Sequence, residues 1–175
     1  MSYETLLGDA EYFYNEAEKA SRSRNRAAER FSTASILFSF MAIESFINNM
    51  MADFASLPKD LFTVHEQGFL TEKAVLFSTS GSNAGRFELG SKQEYKRLED
   101  KIMFLLARFG DKAVDKGSSL WQRFDQAKAV RDLLTHPKKG VTSVPTPLDA
   151  QHTLDVAREI IRLVSAKVWG KPVDL

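Results

Sequence analysis

The 175-residue chain contains no cysteine. This absence excludes disulfide bonds, thiolate zinc sites, iron–sulfur clusters and a cysteine nucleophile. Histidine is also scarce: the three histidines, at positions 65, 136 and 152, are far apart and do not have the spacing of metal ligands. We therefore expect neither a metal ion nor any other cofactor.

A large excess of charge of one sign is also missing. The chain has 24 Lys and Arg against 23 Asp and Glu, a net charge of +1, so no overall field attracts it to nucleic acid or to a membrane. The charge is unevenly spread, however. Residues 1–55 carry five cationic and eight acidic side chains, whereas residues 123–139 carry five cationic and two acidic ones, a net of +3. This asymmetry favours phosphate contacts at one end of the molecule.

No targeting or membrane-spanning signal is evident. The N-terminus lacks a basic region followed by an apolar core, so it does not resemble a signal peptide. The most apolar stretch, residues 36–54, has the length of a membrane span, but polar side chains interrupt it at Glu44, Asn48, Asn49 and Asp53. We predict that it is a buried helix of a soluble, cytoplasmic protein without a membrane partner.

Helical periodicity extends through most of the chain. Apolar side chains recur every three or four residues in five segments: 4–22, 24–55, 92–109, 119–136 and 148–169. The second segment is apolar on two faces, which predicts a central helix packed from both sides. Ser91, with Glu94 three residues later, has the pattern of a capping box and predicts the start of the third helix.

The remaining segments are less regular, and no strand pattern competes with the helical one. Residues 59–78 are predicted to hold one or two short helices, residues 78–85 a loop, and residues 141–147 an extended linker. The sequence therefore predicts one all-α domain over residues 1–175, a helical bundle of about five main helices with a loop-rich insertion at about 56–90.

The most informative segment is residues 121–139, WQRFDQAKAVRDLLTHPKK, which contains an Arg-x-x-x-x-His motif. Arg131 and His136 are its ends, the polar Asp132 follows the Arg, and a Pro follows the His. A second segment, residues 42–49, places Glu44 and Asn48 on one face of an apolar helix. Both segments resemble the HEPN (higher eukaryotes and prokaryotes nucleotide-binding) domain family. The resemblance covers most of the chain, more weakly outside these segments, and the family most often has Asn where this chain has Asp132.

The resemblance implies an all-α homodimer. Many HEPN domains are metal-independent RNases of toxin–antitoxin and phage-defence systems, in which two motifs form one composite cleft. It implies that RNA is cut by attack of its 2′-OH, leaving a 2′,3′-cyclic phosphate and a 5′-hydroxyl. His136 suits proton transfer because an imidazole can both accept and donate a proton near neutral pH. Arg131 offers a permanently charged fork to phosphate oxygens, and Asp132 would orient it or the substrate.

Five further residues are candidates for supporting the site or binding the substrate: Glu44, Asn48, Lys128, Lys138 and Lys139. If Glu44 is buried it needs a partner, and Arg131 is the first candidate. Five steps along an ideal helix rotate about 500°, so Arg131 and His136 would point about 140° apart. His136 precedes a proline and is therefore biased out of the helix, and dimerisation would also bring two motifs together.

Two other interpretations stay open. In the first, the chain is a non-catalytic HEPN-like dimer that binds nucleotide, RNA or a partner protein such as an antitoxin. Alternatively, it is a purely structural helical dimer, in which the Arg anchors a helix end and the His caps it. Convergence of Arg131 and His136 on an open cleft would favour the enzyme, and a buried, fully paired Arg131 would favour a structural role.

Overall fold

The computed structural model describes residues 1–110, 115–136 and 144–175. These residues form six α-helices and one two-stranded sheet. The helices are α1 (Tyr3–Arg22), α2 (Ala27–Ala55), α3 (Val64–Leu70), α4 (Leu98–Phe109), α5 (Ser119–Thr135) and α6 (Pro147–Trp169); the strands are β1 (Lys73–Phe77) and β2 (Phe87–Gln93). The predicted predominance of helices is confirmed, and five of the six have 12 residues or more, whereas the all-α prediction is wrong because β1 and β2 form a sheet.

Local side-chain chemistry explains the ends of the helices that the sequence predicts best. Ser118 caps α5, and Thr146 forms a capping box with Asp149 at the start of α6. Gly170, with φ of +74°, ends α6 in the left-handed conformation that a side chain disfavours. Each signal lies within a few residues of the helix that it ends, so these boundaries agree with the predicted ones.

The chain divides into two compact units, of which the first comprises Met1–Phe46 and Leu106–Leu175. In this unit α1 and α5 both pack against α6. The hydroxyl of Ser35 in α2 donates to the backbone oxygen of Ala10 in α1, at 2.8 Å within the core. The largest fully buried apolar side chains of the unit come from three helices and are Ile36, Ile43, Phe124, Val156, Ile160, Ile161 and Val164.

Helix α2 is buried more on one face than on the other. Of its two apolar stripes, one is buried at Phe40, Ile43, Ile47 and Met50 and half-buried at Phe54. The other predicted stripe is only half-buried at Phe31, Ala34 and Phe38, and Met41 is 47% exposed. Packing from both sides is therefore only partly correct. By length and composition α2 alone among the described helices would reach across a membrane, and half of its most apolar window is buried inside the protein.

The second compact unit, Ile47–Leu105, contains the hairpin that the sequence analysis missed. Strands β1 and β2 pair antiparallel, with Val75 opposite Leu89 and Phe77 opposite Phe87. Helix α3 packs against both strands. A side chain at Gly68 would lie 2.5 Å from the Val75 side chain, so glycine permits this close approach.

Two predictions for this second unit need correction. Residues 59–78 do contain a single helical turn, Lys59–Leu61, and helix α3, but their last part forms β1. The predicted capping box at Ser91 is wrong, because Ser91 lies in β2 and α4 begins only at Leu98. The backbone N–H of Glu94 instead donates to the oxygen of Glu72 at 2.7 Å, so pairing with a distant segment satisfies this backbone.

Candidate functional site

The last turns of α5 position the motif residues. Arg131 and Asp132 lie within the helix, and His136 is its C-cap, with φ −132° and ψ 68°. The backbone N–H of His136 still donates to the oxygen of Asp132 at 2.9 Å, but the residue has left helical geometry and is exposed. The predicted departure of His136 from the helix is confirmed, so its ring need not follow the helical period.

The Arg131 side chain lies on an aromatic ring of α2. Its guanidinium carbon is 4.9 Å from the centre of the Phe40 ring, and the side chain is only 20% exposed. Phe40 is itself buried and lies 6.0 Å from the ring of Phe124 in α5. A cation held over an aromatic face in a partly desolvated place gains about 0.5–2 kcal/mol. Sequence analysis missed Phe40 because its pairing with Arg131 joins distant segments.

The guanidinium is held in place without being saturated. Arg131 Nε is buried and 3.3 Å from Asp132 Oδ1, an ion-pair distance whose geometry does not make a hydrogen bond. Within residues 1–110, 115–136 and 144–175, no acceptor takes a hydrogen bond from the Arg131 side chain. Because no described residue accepts a hydrogen bond from its terminal nitrogens, Arg131 retains the capacity to bind an anion through them. The buried, fully paired Arg131 expected for a structural role is therefore only half met: the side chain is mostly covered, but it is not fully paired among the described residues.

Glu44 lies one turn beyond Phe40 on α2, on the helix face that Arg131 approaches. It is half-buried, yet its carboxylate forms no hydrogen bond or ion pair with any described residue. The expected Glu44–Arg131 ion pair is therefore not formed. The face is the expected one, but the aromatic ring of Phe40 takes the place expected for the carboxylate.

Asn48 has a different setting, in the second compact unit. Its Oδ1 accepts a hydrogen bond from Lys101 Nζ at 2.8 Å, and the same ammonium is 2.8 Å from Glu72 Oε1. Lys101 is 7% exposed, so these two oxygens compensate a nearly buried charge. The observed role of Asn48 is thus to hold Lys101, and a substrate role stays a prediction.

Of the three predicted lysines, only Lys128 lies within the described residues. Lys128 is half-buried on α5, three and four residues before Arg131 and Asp132, and so shares their side of the helix. Lys138 and Lys139 lie outside the described residues. Arg123 belongs to the same basic segment, but both of its terminal nitrogens bind the Glu159 carboxylate of α6. Its charge is therefore neutralised within the fold, which weakens the positive potential expected of this segment.

Other histidines have ordinary surroundings. His152 Nε2 lies 3.3 Å from the backbone oxygen of Arg123, and the His65 ring lies 5.0 Å from that of Phe87. Among the residues that the structure describes, no three His, Asp or Glu side chains are grouped so that they would hold a metal ion.

Comparisons with protein-family models, with curated proteins and with solved structures find no match. The resemblance to HEPN domains therefore depends on the two sequence segments that carry it, residues 42–49 and 121–139.

Proposed function

We propose that the protein is a metal-independent endoribonuclease of HEPN type, active as a homodimer in the cytoplasm as a toxin or phage-defence effector. The observation that carries this proposal is the state of Arg131. The Phe40 ring fixes its guanidinium in place, while none of its donors is used by a described residue, five positions before an exposed histidine. An anion-binding group and a proton-transfer group therefore occupy one end of one helix.

The chemistry needs only proton transfer and charge stabilisation. His136 accepts the proton of the RNA 2′-OH as that oxygen attacks the adjacent phosphorus. Arg131 stabilises the negative charge that develops on the phosphate oxygens. The bond to the 5′-oxygen breaks, and that oxygen leaves with a proton from the imidazolium of a second His136 or from water. The products are a 2′,3′-cyclic phosphate and a 5′-hydroxyl.

Apolar side chains near the motif that are only half-buried support a homodimer. Val130, Leu133 and Leu134, in the last two turns of α5, are all half-buried in the single chain. A two-fold interface over these residues would cover them with their own counterparts. It would also place two copies of Arg131 and His136 around one cleft, into which RNA enters.

One observation favours a second candidate function, a HEPN-like dimer that binds nucleotide, RNA or an antitoxin protein without cutting RNA. The Asp132 carboxylate lies 3.3 Å from Arg131 Nε and would weaken the stabilisation of the extra negative charge that develops on a phosphate during cleavage. In this case the dimer would show affinity for RNA or nucleotide without turnover.

The test is a cleavage assay in EDTA on single-stranded and structured RNA, with the parent protein and His136→Ala. His136 is exposed, and its ring makes no hydrogen bond, ion pair or ring contact with any described residue, so the variant should fold normally. We expect cleavage by the parent and a loss of at least about 100-fold in the variant. Lys171→Gln, which removes an exposed charge beyond α6, is the control and should cut at the parent rate. A folded, dimeric parent that cuts neither RNA, or a His136→Ala protein that cuts at the parent rate, would overturn the proposal.

A further inference from the structure

Cationic side chains are concentrated at the turn between α1 and α2. All five Lys and Arg of residues 1–55 lie within residues 19–30, a stretch with one acidic residue, Glu29. We call this cluster the basic turn; its members are Lys19, Arg22, Arg24, Arg26 and Arg30. All five are exposed, and Arg26 and Arg30 line a surface depression with Asn25, Ala27 and Glu29.

Three of these charges are uncompensated. Lys19 pairs with Glu16 at 2.7 Å, and Arg22 with Glu18 at 3.0 Å, both along α1. In contrast, the side chains of Arg24, Arg26 and Arg30 make no ion pair or hydrogen bond with any residue in the described ranges. Three like charges within seven residues of chain therefore repel one another and have no partner among the described residues.

The backbone at Arg24 gives a second, independent indication. Its φ is +54°, in the left-handed region that favours glycine. The turn is the usual hydrogen-bonded ending of a helix: Asn25 N–H donates to Ala20 O at 2.8 Å, and Arg24 N–H donates to Ser21 O at 3.0 Å. Glycine is the residue that this position prefers. A charged residue that costs stability here points to a use for its side chain.

We infer that the basic turn binds the sugar–phosphate backbone of RNA, as a contact surface separate from the Arg131–His136 motif. Arginine suits this ligand because its planar fork matches phosphate oxygens in pairs. Residues 21–30 contain no large apolar side chain that would insert into a lipid surface, so the turn fits RNA better than a membrane.

The geometry of α2 relates the two surfaces within the first compact unit. Phe40 lies thirteen positions after Ala27, the first residue of α2, which is about 20 Å along a helix. An RNA strand that reaches both the basic turn and Arg131 must therefore extend well beyond the phosphate being cut. Only the identity of the ligand as RNA rests on the proposed function, because binding at the turn needs no cleavage.

The experiment measures the affinity of the full chain for a fluorescent 2′-O-methyl RNA oligonucleotide, which cannot be cut by 2′-OH attack. The test variant combines Arg24→Gly, Arg26→Gln and Arg30→Gln, and Lys171→Gln is the control. For single strands, each lost phosphate contact lowers the slope of log affinity against log salt by about 0.7. We expect the slope of the triple variant to fall by about 2, so that its loss of affinity from about 50 to about 200 mM salt is about 20-fold smaller than that of the parent.

Arg24→Gly alone separates binding from folding. It should weaken binding in low salt by about 2- to 3-fold, because one phosphate contact is lost. It should also raise the thermal midpoint by about 2–4 °C, because glycine relieves the left-handed strain. A purely structural role for Arg24 would not give these opposite effects.

Three outcomes would overturn the inference: an unchanged salt slope in the triple variant, an equal effect of Lys171→Gln, or parent protein that binds phosphatidylserine-containing vesicles but not RNA. A failure of the proposed nuclease activity can be distinguished from a failure of this inference. Binding that depends on the basic turn, in a protein that cuts no RNA, supports this inference and contradicts only the proposed cleavage.

Discussion

The guanidinium carbon of Arg131 lies 4.9 Å from the centre of the Phe40 ring, which joins the end of α5 to the middle of α2. Phe40 is 2% exposed and cannot move far, so it holds the Arg131 side chain over one patch of the protein. The ring attracts the cation without using its N–H donors. A fixed position, with donors that no described residue uses, is what an anion-binding group requires.

Replacing Arg131 should affect both activity and stability. We expect Arg131→Ala to lower cleavage by about 100- to 1000-fold, because the developing phosphate charge loses its stabilising fork. The same change should cost about 1 kcal/mol of unfolding free energy, because the contact with Phe40 is lost. Arg131→Lys should keep more of the stability than of the activity, because an ammonium lacks the bidentate fork. Initial cleavage rates and urea unfolding measure the two effects; equal recovery of both by Lys would contradict this role.

Asp132→Asn tests whether the neighbouring carboxylate restrains Arg131. The substitution removes a negative charge 3.3 Å from Arg131 Nε and leaves a side chain of the same shape. Affinity for RNA should rise by about 2- to 5-fold at low salt, because the guanidinium no longer interacts with a competing anion. Stability should change by less than about 1 kcal/mol, because Asp132 is nearly half exposed. Fluorescence anisotropy measures the affinity for RNA. A lower affinity in the variant than in the parent would show that Asp132 assists binding.

The ion pair between Glu72 and Lys101 gives the second unit a predictable dependence on pH. Burial disfavours the charged Glu72 carboxylate, but the hydrogen bonds from Lys101 and from the Lys96 backbone, together with both ammonium charges, outweigh it. The pKa of Glu72 therefore lies below its ordinary value of 4.5 in the folded protein. A lowered pKa means that this stabilisation is complete above about pH 4.5 and is lost as the pH falls through the folded pKa.

Glu72→Gln should accordingly destabilise the protein by about 2 kcal/mol at neutral pH, because Lys101 loses its counter-ion while still nearly buried. The difference between parent and variant should shrink below about pH 4.5, where the parent carboxylate becomes protonated. Urea unfolding at several pH values measures both effects. A difference independent of pH would show that the ion pair does not contribute in this way.

Two glycines make a matched test of the packing between α3 and the hairpin. A side chain at Gly68 would meet the side chain of Val75 at 2.5 Å and the backbone oxygen of Lys73 at 3.0 Å, so Gly68→Ala should cost about 1–3 kcal/mol. Gly8, exposed in α1, has nothing within 4 Å of the same added atom. Gly8→Ala should therefore stabilise the protein by about 0.5–1 kcal/mol. Thermal unfolding of both variants checks the signs, and similar changes in the two would argue against the close approach at Gly68.

The predictable part of the fold depends on short-range signals. Helices α1, α5 and α6 follow from apolar spacing and from caps such as Ser118 and Thr146, which act within one turn. The hairpin was missed because β1 has five residues and β2 lacks clear alternation of apolar and polar side chains. Its strands form because they pair with each other and with α3, an effect that no local window contains.

The candidate site likewise combines a feature that follows from the local sequence with contacts between distant residues that do not. The departure of His136 from the helix follows from the next residue in the chain, and was predicted. The contact between Arg131 and Phe40 joins residues more than ninety positions apart, so no spacing in the sequence indicates it. The engagement of Asn48 by Lys101 depends in turn on Glu72, which lies beside a strand that was not predicted.

We propose that Arg131 and His136 catalyse attack by the RNA 2′-OH, and the chemical ends of the product RNA are the strictest test of this claim. The measurement is end-group analysis of RNA cut in EDTA by the parent protein, beside a substrate that carries one 2′-deoxy position at the main cleavage site. We predict 2′,3′-cyclic phosphate and 5′-hydroxyl ends, and no cleavage at the 2′-deoxy position. Products with 5′-phosphate ends, or unchanged cleavage at the 2′-deoxy position, would contradict the claim.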